Sequence, residues 1–477
     1  MTAKETMTSS TINDLTSYKV LSTIAIALQM VVIAVVGTFD GYGAMCAASV
    51  LQLAFLVAIL AFSPCRQLFA VLFLAANWIF HCGQIACVAA GYNDVLNLDF
   101  RMYGSAATVA EAFSFYLYSQ SLLTMGAVLF QARPPKGASR GVKGPWEVSE
   151  KLAWVLVVVG LPFWLYVNLA KLSGAAAEGY RGVYSLVIPA PIQAASFFFE
   201  AGLLMFLLLV GKERRGAFLF WAVVAVKVVL MSTGGRQDAV CFLVVWCLVY
   251  FGYLRKLSPS RVVVFGVSAV FLLFAIDAFG ELRNDGFSFD ALANYLANAS
   301  FFDVFWDSLG EFGSAYSTLV VSMASVPSIL PFGMGSTYVA GILSVIPMLV
   351  NRFAGLKAST LFTTAIPGTT FLGGSMLGEF YYNFGWFGLV GPFLVGCVLA
   401  WCQNRLNLVG REGAGLGMWL AAVLAIFLLL FVRGYFTDAA MKFVYLCVFA
   451  WAASGLLRRF DERKAGADSP RIGGHAR

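Results

Sequence analysis

Histidine and charge are what this chain of 477 residues mostly lacks. His81 and His475 are its only histidines, so a histidine-rich metal centre is excluded by count. Charged residues make up 12% of the chain, against about a quarter in an ordinary soluble domain, so a single soluble core is excluded as well. The nine cysteines are scattered without a CxxC pair, most of them inside apolar runs where they act as small hydrophobes. That pattern gives neither a disulfide framework nor a zinc site. No Asp-x-Asp pair of the kind that holds a divalent cation occurs anywhere. No internal repeat or inverted duplication is visible, which removes one signature of transporters.

What is present is apolar surface. Hydrophobic residues account for 60% of the chain and recur in runs of about 17–25, long enough to cross ~30 Å of hydrocarbon. The runs predict spans at 20–37, 42–62, 66–91, 105–130, 151–172, 191–210, 216–232, 239–254 and 261–279. Three more are expected at 386–404, 414–432 and 440–457. The expected fold is therefore all-α: a polytopic transmembrane helical bundle of about twelve spans, fourteen if 312–350 crosses as a pair. The whole of 1–477 reads as one integral membrane domain. The first nineteen residues lack a cleavable signal pattern, so the first span is expected to act as an uncleaved insertion signal.

The net charge of +7 is distributed in a way that argues for topology rather than nucleic acid. One alternating set of connectors is basic: Arg133, Lys136, Arg140 and Lys143; Lys212, Arg214 and Arg215; Arg255, Lys256 and Arg261; Arg405 and Arg411. The other set is short or acidic, with Asp40, Asp94, Asp99 and Glu178. The positive-inside rule places the basic set, the N-terminus 1–19 and the tail 458–477 in the cytoplasm of a bacterial-type inner membrane. It leaves 280–385 as a long periplasmic segment. Pro327, Pro331 and Pro347 break its apolar pieces, which then read as interfacial or re-entrant helices. Long ordered loops of this kind usually carry function.

Cations on the outer face run against the topology rule and so call for a reason. Arg181 lies in Gly-Tyr-Arg-Gly-Val-Tyr (179–184) and Arg236 in Ser-Thr-Gly-Gly-Arg-Gln-Asp (232–238). Arg283 follows Glu281, Arg352 and Lys357 lie in the long segment, and Arg433 opens Arg-Gly-Tyr-Phe-Thr-Asp (433–438). Any one of them would serve as a snorkelling anchor. Gathered at a membrane surface, however, guanidinium forks suit a lipid-linked phosphate or diphosphate, whose oxygens they grip in pairs. Glu379 stands beside Tyr381, Tyr382 and Asn383, a set able to bind or deprotonate a sugar hydroxyl. The bland reading of that carboxylate is a helix N-terminal charge among interfacial tyrosines. Asp307, Glu311 and Asp438 read as structural.

Four stretches carry a resemblance: Gly234-Gly235-Arg236; Pro331-Phe-Gly-Met-Gly-Ser-Thr-Tyr338 followed by Ile346-Pro347; Gly378-Glu-Phe-Tyr-Tyr-Asn-Phe-Gly385; and Arg433-Gly434. With the span layout they make the chain similar to the Wzy-type O-antigen polymerases, the oligosaccharide repeat-unit polymerases. The resemblance implies a metal-independent glycosyltransferase, without a cofactor, that joins undecaprenyl-diphosphate-linked oligosaccharides on the periplasmic face. It also implies a chain-length-regulating co-polymerase as partner. On that reading Arg236, Arg283 and Arg352 hold diphosphates, Arg181 and Arg433 add positive charge, and Glu379 is a base or an acceptor-orienting group. Tyr338, Tyr382 and Asn383 become sugar contacts. An O-antigen ligase shares the architecture and donor but favours an outer histidine that this chain lacks. A flippase or other transporter would place charge at mid-membrane depth, where Lys227, Asn77 and His81 fall.

Overall fold

The computed structural model describes residues 3–37, 39–92, 99–133, 150–184, 186, 188–231, 236–255, 297, 300–346, 349, 361–362, 372–409 and 415–467. The side chains of 3–13, 176–181, 183–184, 236 and 464–467 are excepted. Helices are the only regular secondary structure among the described residues, which hold no strand. In chain order the helices are α1 (Ala3–Val36), α2 (Tyr42–Ala61), α3 (Leu68–Ala89), α4 (Ala106–Leu129), α5 (Glu150–Tyr184), α6 (Ala190–Val210), α7 (Arg214–Met231) and α8 (Arg236–Cys247). A wider turn, Leu248–Leu254, continues α8. There follow α9 (Phe301–Phe312), α10 (Ala315–Ser325), α11 (Ser336–Leu343), α12 (Met376–Phe384), α13 (Val390–Leu406), α14 (Leu416–Val432) and α15 (Phe436–Ala467).

Among the described residues eight segments are long and apolar enough to cross a membrane, where the hydropathy of the whole sequence suggests about twelve. The difference has local causes. α7 carries Arg214, Arg215 and Lys227, and α14 is only 17 residues long. α4 is diluted by Ser119, Gln120, Ser121 and Thr124, all buried. These polar groups face inward rather than toward lipid: Gln52 Nε2 donates to Leu117 O at 2.7 Å and to Ser121 Oγ at 3.1 Å. The expected span 261–279 lies outside the described residues. On the outer surface the usual polarity of a soluble protein is reversed. Leu28, Val31, Val32 and Val35 of α1 are more than half exposed, as lipid-facing residues are.

Neighbouring helices approach closely where side chains are absent. A Cβ at Gly126 of α4 would meet the backbone of Phe393 and Gly396 on α13, and one at Gly160 of α5 would meet the backbone of Phe198 and Phe199 on α6. Small residues at such crossings let the backbones touch, the common solution where water supplies no driving force between helices.

The bundle has two unlike ends. At one, Lys19 Nζ donates to Leu129 O at 2.8 Å, and Arg66 Nη1 to Gly252 O at 2.9 Å. Arg255 reaches Gly211 O at 3.2 Å and Lys212 O and Glu213 O at 3.0 Å. At the opposite end α7–α8 and α14–α15 turn back, and the segment 300–346 packs there. α9 and α10 are too short to cross as clean spans, for which ~20 residues are needed. α10 is nonetheless buried almost completely: the Tyr316 hydroxyl donates to Val109 O at 2.7 Å and Ser317 Oγ to Gln84 Oε1 at 3.0 Å. The segment expected at the interface is thus partly sunk into the bundle, against α3 and α4.

Candidate functional site

α12 begins ten residues before the span expected at 386. Ser375 sets the start, because its hydroxyl accepts from Gly378 N at 3.1 Å and caps the first turn. The same hydroxyl lies 3.0 Å from His81 Nε2, whose Nδ1 lies 3.1 Å from Asn77 O. One tautomer satisfies all three contacts: Nδ1–H donates to Asn77, and the serine hydroxyl donates to Nε2. His81, whose ring stacks on Tyr116 at 5.9 Å, is thereby bonded to the residue that caps α12.

The early start puts Glu379 in the first turn of α12 and sinks it fully. Its carboxylate joins three segments. Oε1 accepts from Thr337 Oγ1 at 2.7 Å, and Oε2 accepts from the backbone N–H of Phe436 at 2.8 Å. Asn383, one turn further on, closes the network: Nδ2 donates to Thr337 Oγ1 and to Glu379 O, both at 2.8 Å, while Oδ1 accepts from Gly335 N at 3.0 Å. Gly333 and Met334 donate to Tyr382 O and Asn383 O at 3.0 and 2.9 Å. A Cβ at Gly333 would strike the Tyr382 ring, and Gly335 has φ +86°, so the glycines of this turn are required by close approach and by backbone sign.

Around this network lies an aromatic wall. The Tyr338 ring stacks on Phe384 at 6.1 Å and meets the edge of Phe436 at 5.2 Å, and Tyr382 meets Phe362 at 5.5 Å. Burial, with the charge of Glu379 adding to it, pushes the Tyr338 phenol far above its usual value. Burial, Glu379 and Asp438 do the same to Tyr435. Both phenols therefore stay protonated and can donate hydrogen bonds.

Three residues from Phe436 lies Arg433. Its Nη2 donates to Ser314 Oγ at 3.1 Å, its guanidinium sits 5.9 Å from the Phe312 ring, and Gly373 passes beneath it. Gln237, next to Arg236, donates to Leu430 O at 3.3 Å and to Arg433 O at 3.2 Å, so the start of α8 is tied to the same corner. Gly374 crosses Gly434 so tightly that a Cβ would overlap the backbone, and Thr318 Oγ1 donates to Gly373 O at 2.6 Å.

Of the residues singled out in the sequence, Glu379, Tyr338, Tyr382, Asn383 and Arg433 come together here, with the α8 terminus bearing Arg236 beside them. Arg181 lies in the last turn of α5. Arg283 and Arg352 lie outside the described residues. Thr337, Ser314, Gln237 and Ser375 were not singled out. Only Ser375 left a readable signal, as a hydroxyl placed to cap the helix after it.

The family model for the O-antigen polysaccharide polymerase Wzy matches residues 18–454. The chain belongs to that family. No curated protein and no solved structure matches it. As a Wzy polymerase it is a polymerising glycosyltransferase of polysaccharide and lipopolysaccharide biosynthesis and a multi-pass membrane protein. The Wzy family acts on lipid-linked oligosaccharide repeat units.

Proposed function

We propose that this chain polymerises undecaprenyl-diphosphate-linked oligosaccharide repeat units on the periplasmic face of a bacterial inner membrane. The growing chain leaves its lipid diphosphate and is joined to an incoming lipid-linked unit, with a chain-length-regulating co-polymerase as partner. The observation that carries the reading is the convergence of Arg433, the N-terminus of α8, and the Glu379–Asn383 network at the end of the bundle opposite the basic loops.

The chemistry asks for charge stabilisation at the departing diphosphate and a held acceptor hydroxyl. Arg236, Arg283 and Arg352 are assigned to diphosphate oxygens, with Arg181 and Arg433 as supporting cations. Tyr338 and Tyr382 are assigned to sugar, Tyr338 through the exposed part of its ring, Tyr382 from a buried position against Phe362. Of the two roles open to Glu379, orienting group fits better than base. With no exposed surface and both oxygens engaged, it acts through Thr337 and Phe436, and Asn383 supports it. Arginines then do the work of a metal, and polymerisation is independent of divalent cations.

The test is polymer formation by the purified protein in liposomes supplied with the lipid-linked repeat unit. Ladders should form and persist in excess EDTA. Loss of ladders restored by magnesium or manganese would refute metal independence, and no ladder under any condition would refute the polymerase reading.

A further inference from the structure

A second polar site lies deeper in the same half of the bundle and plays no part in the network just described. A narrow cleft of about 70 Å³, room for one edge of a ligand rather than a whole ring, lies between α5, α6, α7, α8, α14 and α15. Its walls carry an unusual amount of charge for this depth. Lys227 Nζ donates to Glu200 Oε1 at 2.5 Å, and the Trp164 indole donates to the same oxygen at 3.1 Å. Lys227 also lies over the Phe242 ring at 4.6 Å. Lys442 faces Asp238 at 3.9 Å, too far for a direct hydrogen bond, and Lys171 lines the same space.

Helix packing does not require this set. Ion pairs inside a low-dielectric interior add little stability over apolar residues of the same volume, and ionisable groups at membrane depth usually mark a ligand path. Nor is the set sealed: the Asp238 side chain keeps 52% of its surface accessible and Lys442 keeps 21%, although helices surround both. The composition points to the ligand. Two carboxylates oppose a phosphate, which the three lysines alone would attract. A sugar ring suits the mixture, because each hydroxyl both donates and accepts. Asp238 accepts, Lys442 and Lys171 donate, the Gln193 amide does both, and Trp164 supplies an aromatic wall. The cleft also begins one residue from Gln237, which holds the Arg433 carbonyl.

We propose that this cleft is a saccharide subsite that takes the hydroxyl-bearing edge of one sugar of the repeat unit, a proposal that rests on the polymerase reading. Lys227 and Glu200 are the fixed floor, held by each other and by Trp164. Asp238 and Lys442 part around the sugar hydroxyls.

Ser196 lines the cleft, and its change to cysteine alters one atom. The full-length S196C protein in detergent is labelled with a charged methanethiosulfonate, and labelling of the unmodified chain with its nine thiols is subtracted. The probes are the lipid-free repeat-unit oligosaccharide from the host's own carrier pool and, separately, inorganic pyrophosphate. The oligosaccharide should slow labelling at least threefold, and pyrophosphate should not. Protection by pyrophosphate alone, protection by neither, or no labelling without a probe would each overturn the subsite.

A second readout does not depend on S196C. Asp238→Asn should raise the apparent KM for the lipid-linked repeat unit about tenfold and leave kcat within twofold, whereas loss of kcat alone would speak for a structural ion pair and against the proposal. Failure of the polymerase reading shows separately, as absence of ladders from the unmodified chain. Failure of the subsite leaves those ladders intact.

Discussion

The two ends of the bundle use cations differently. At the basic end, Lys19, Arg66 and Arg255 are bonded to main-chain carbonyls at the C-terminal ends of α4, α8 and α6. Those carbonyls have no partner within their own helices, and a cation there also offsets the negative end of the helix dipole. At the opposite end Arg433 turns to a serine hydroxyl and a phenyl face, while neutral Gln237 takes over the carbonyls of Leu430 and Arg433. Where an amide side chain can cap a helix, an arginine is not needed for capping. On the proposed reading Arg433 adds positive charge for an anionic substrate.

That contrast is sharpest under charge-conserving substitution. Lysine keeps the charge and loses the planar fork. Arg433→Lys, and likewise Arg236→Lys, Arg283→Lys and Arg352→Lys, should reduce polymer yield at least tenfold while the protein accumulates normally. Arg255→Lys should leave the ladder unchanged, because a lysine still reaches carbonyls. Normal ladders in all four outer variants would erase the functional distinction between the ends.

The next effect falls on the network. Glu379→Gln replaces one accepting oxygen with a donor that faces either the Thr337 hydroxyl or the Phe436 N–H. A buried hydrogen bond lost in this way costs about 1–3 kcal/mol. Thermal unfolding in detergent should fall by a few degrees and the ladder should shorten. An unshifted melt with a normal ladder would mean that the carboxylate holds nothing in place.

Sidedness is the third check. A single cysteine at position 290, in a background without other thiols, should react with an impermeant reagent on intact spheroplasts, and one in the 131–150 loop only after lysis. The reverse pattern would exchange the two ends and remove the periplasmic chemistry. The smallest effect belongs to Ser375→Ala. Loss of the cap and of the His81 partner should cost about 1 kcal/mol in stability, read as a small drop in melting temperature with activity kept within twofold.

How much of this was legible beforehand follows from length scale. Helix identity comes from runs of about twenty residues, and every described helix among those expected as spans appears where hydropathy put it. α12 is the exception in its start. A hydropathy window averages Glu379, Tyr381, Tyr382 and Asn383 into a polar edge, whereas the structure turns those groups inward and bonds them to one another. The cluster itself was readable at 378–385 as a coincidence of chemistry. Its partners Thr337 and Phe436 were not, because they lie 42 and 57 residues away and the Phe436 contact is made by the main chain. Lys227 was visible as an isolated charge in an apolar run. Glu200 was its mate only once α6 and α7 were placed side by side.

The bond between Glu379 and Phe436 N also has a temporal side. Ribosomal synthesis and membrane insertion run from the N-terminus, and the donor that completes this carboxylate is the first residue of α15, far downstream of Glu379. Everything upstream can be inserted and packed while the site still lacks one wall. A chain stopped before residue 436 would hold nearly all of the bundle and most of its arginines, yet it would present Glu379 with only Thr337 to bind. On the proposed reading the site is completed only once α15 is in place, and a chain stopped before residue 436 makes no polymer.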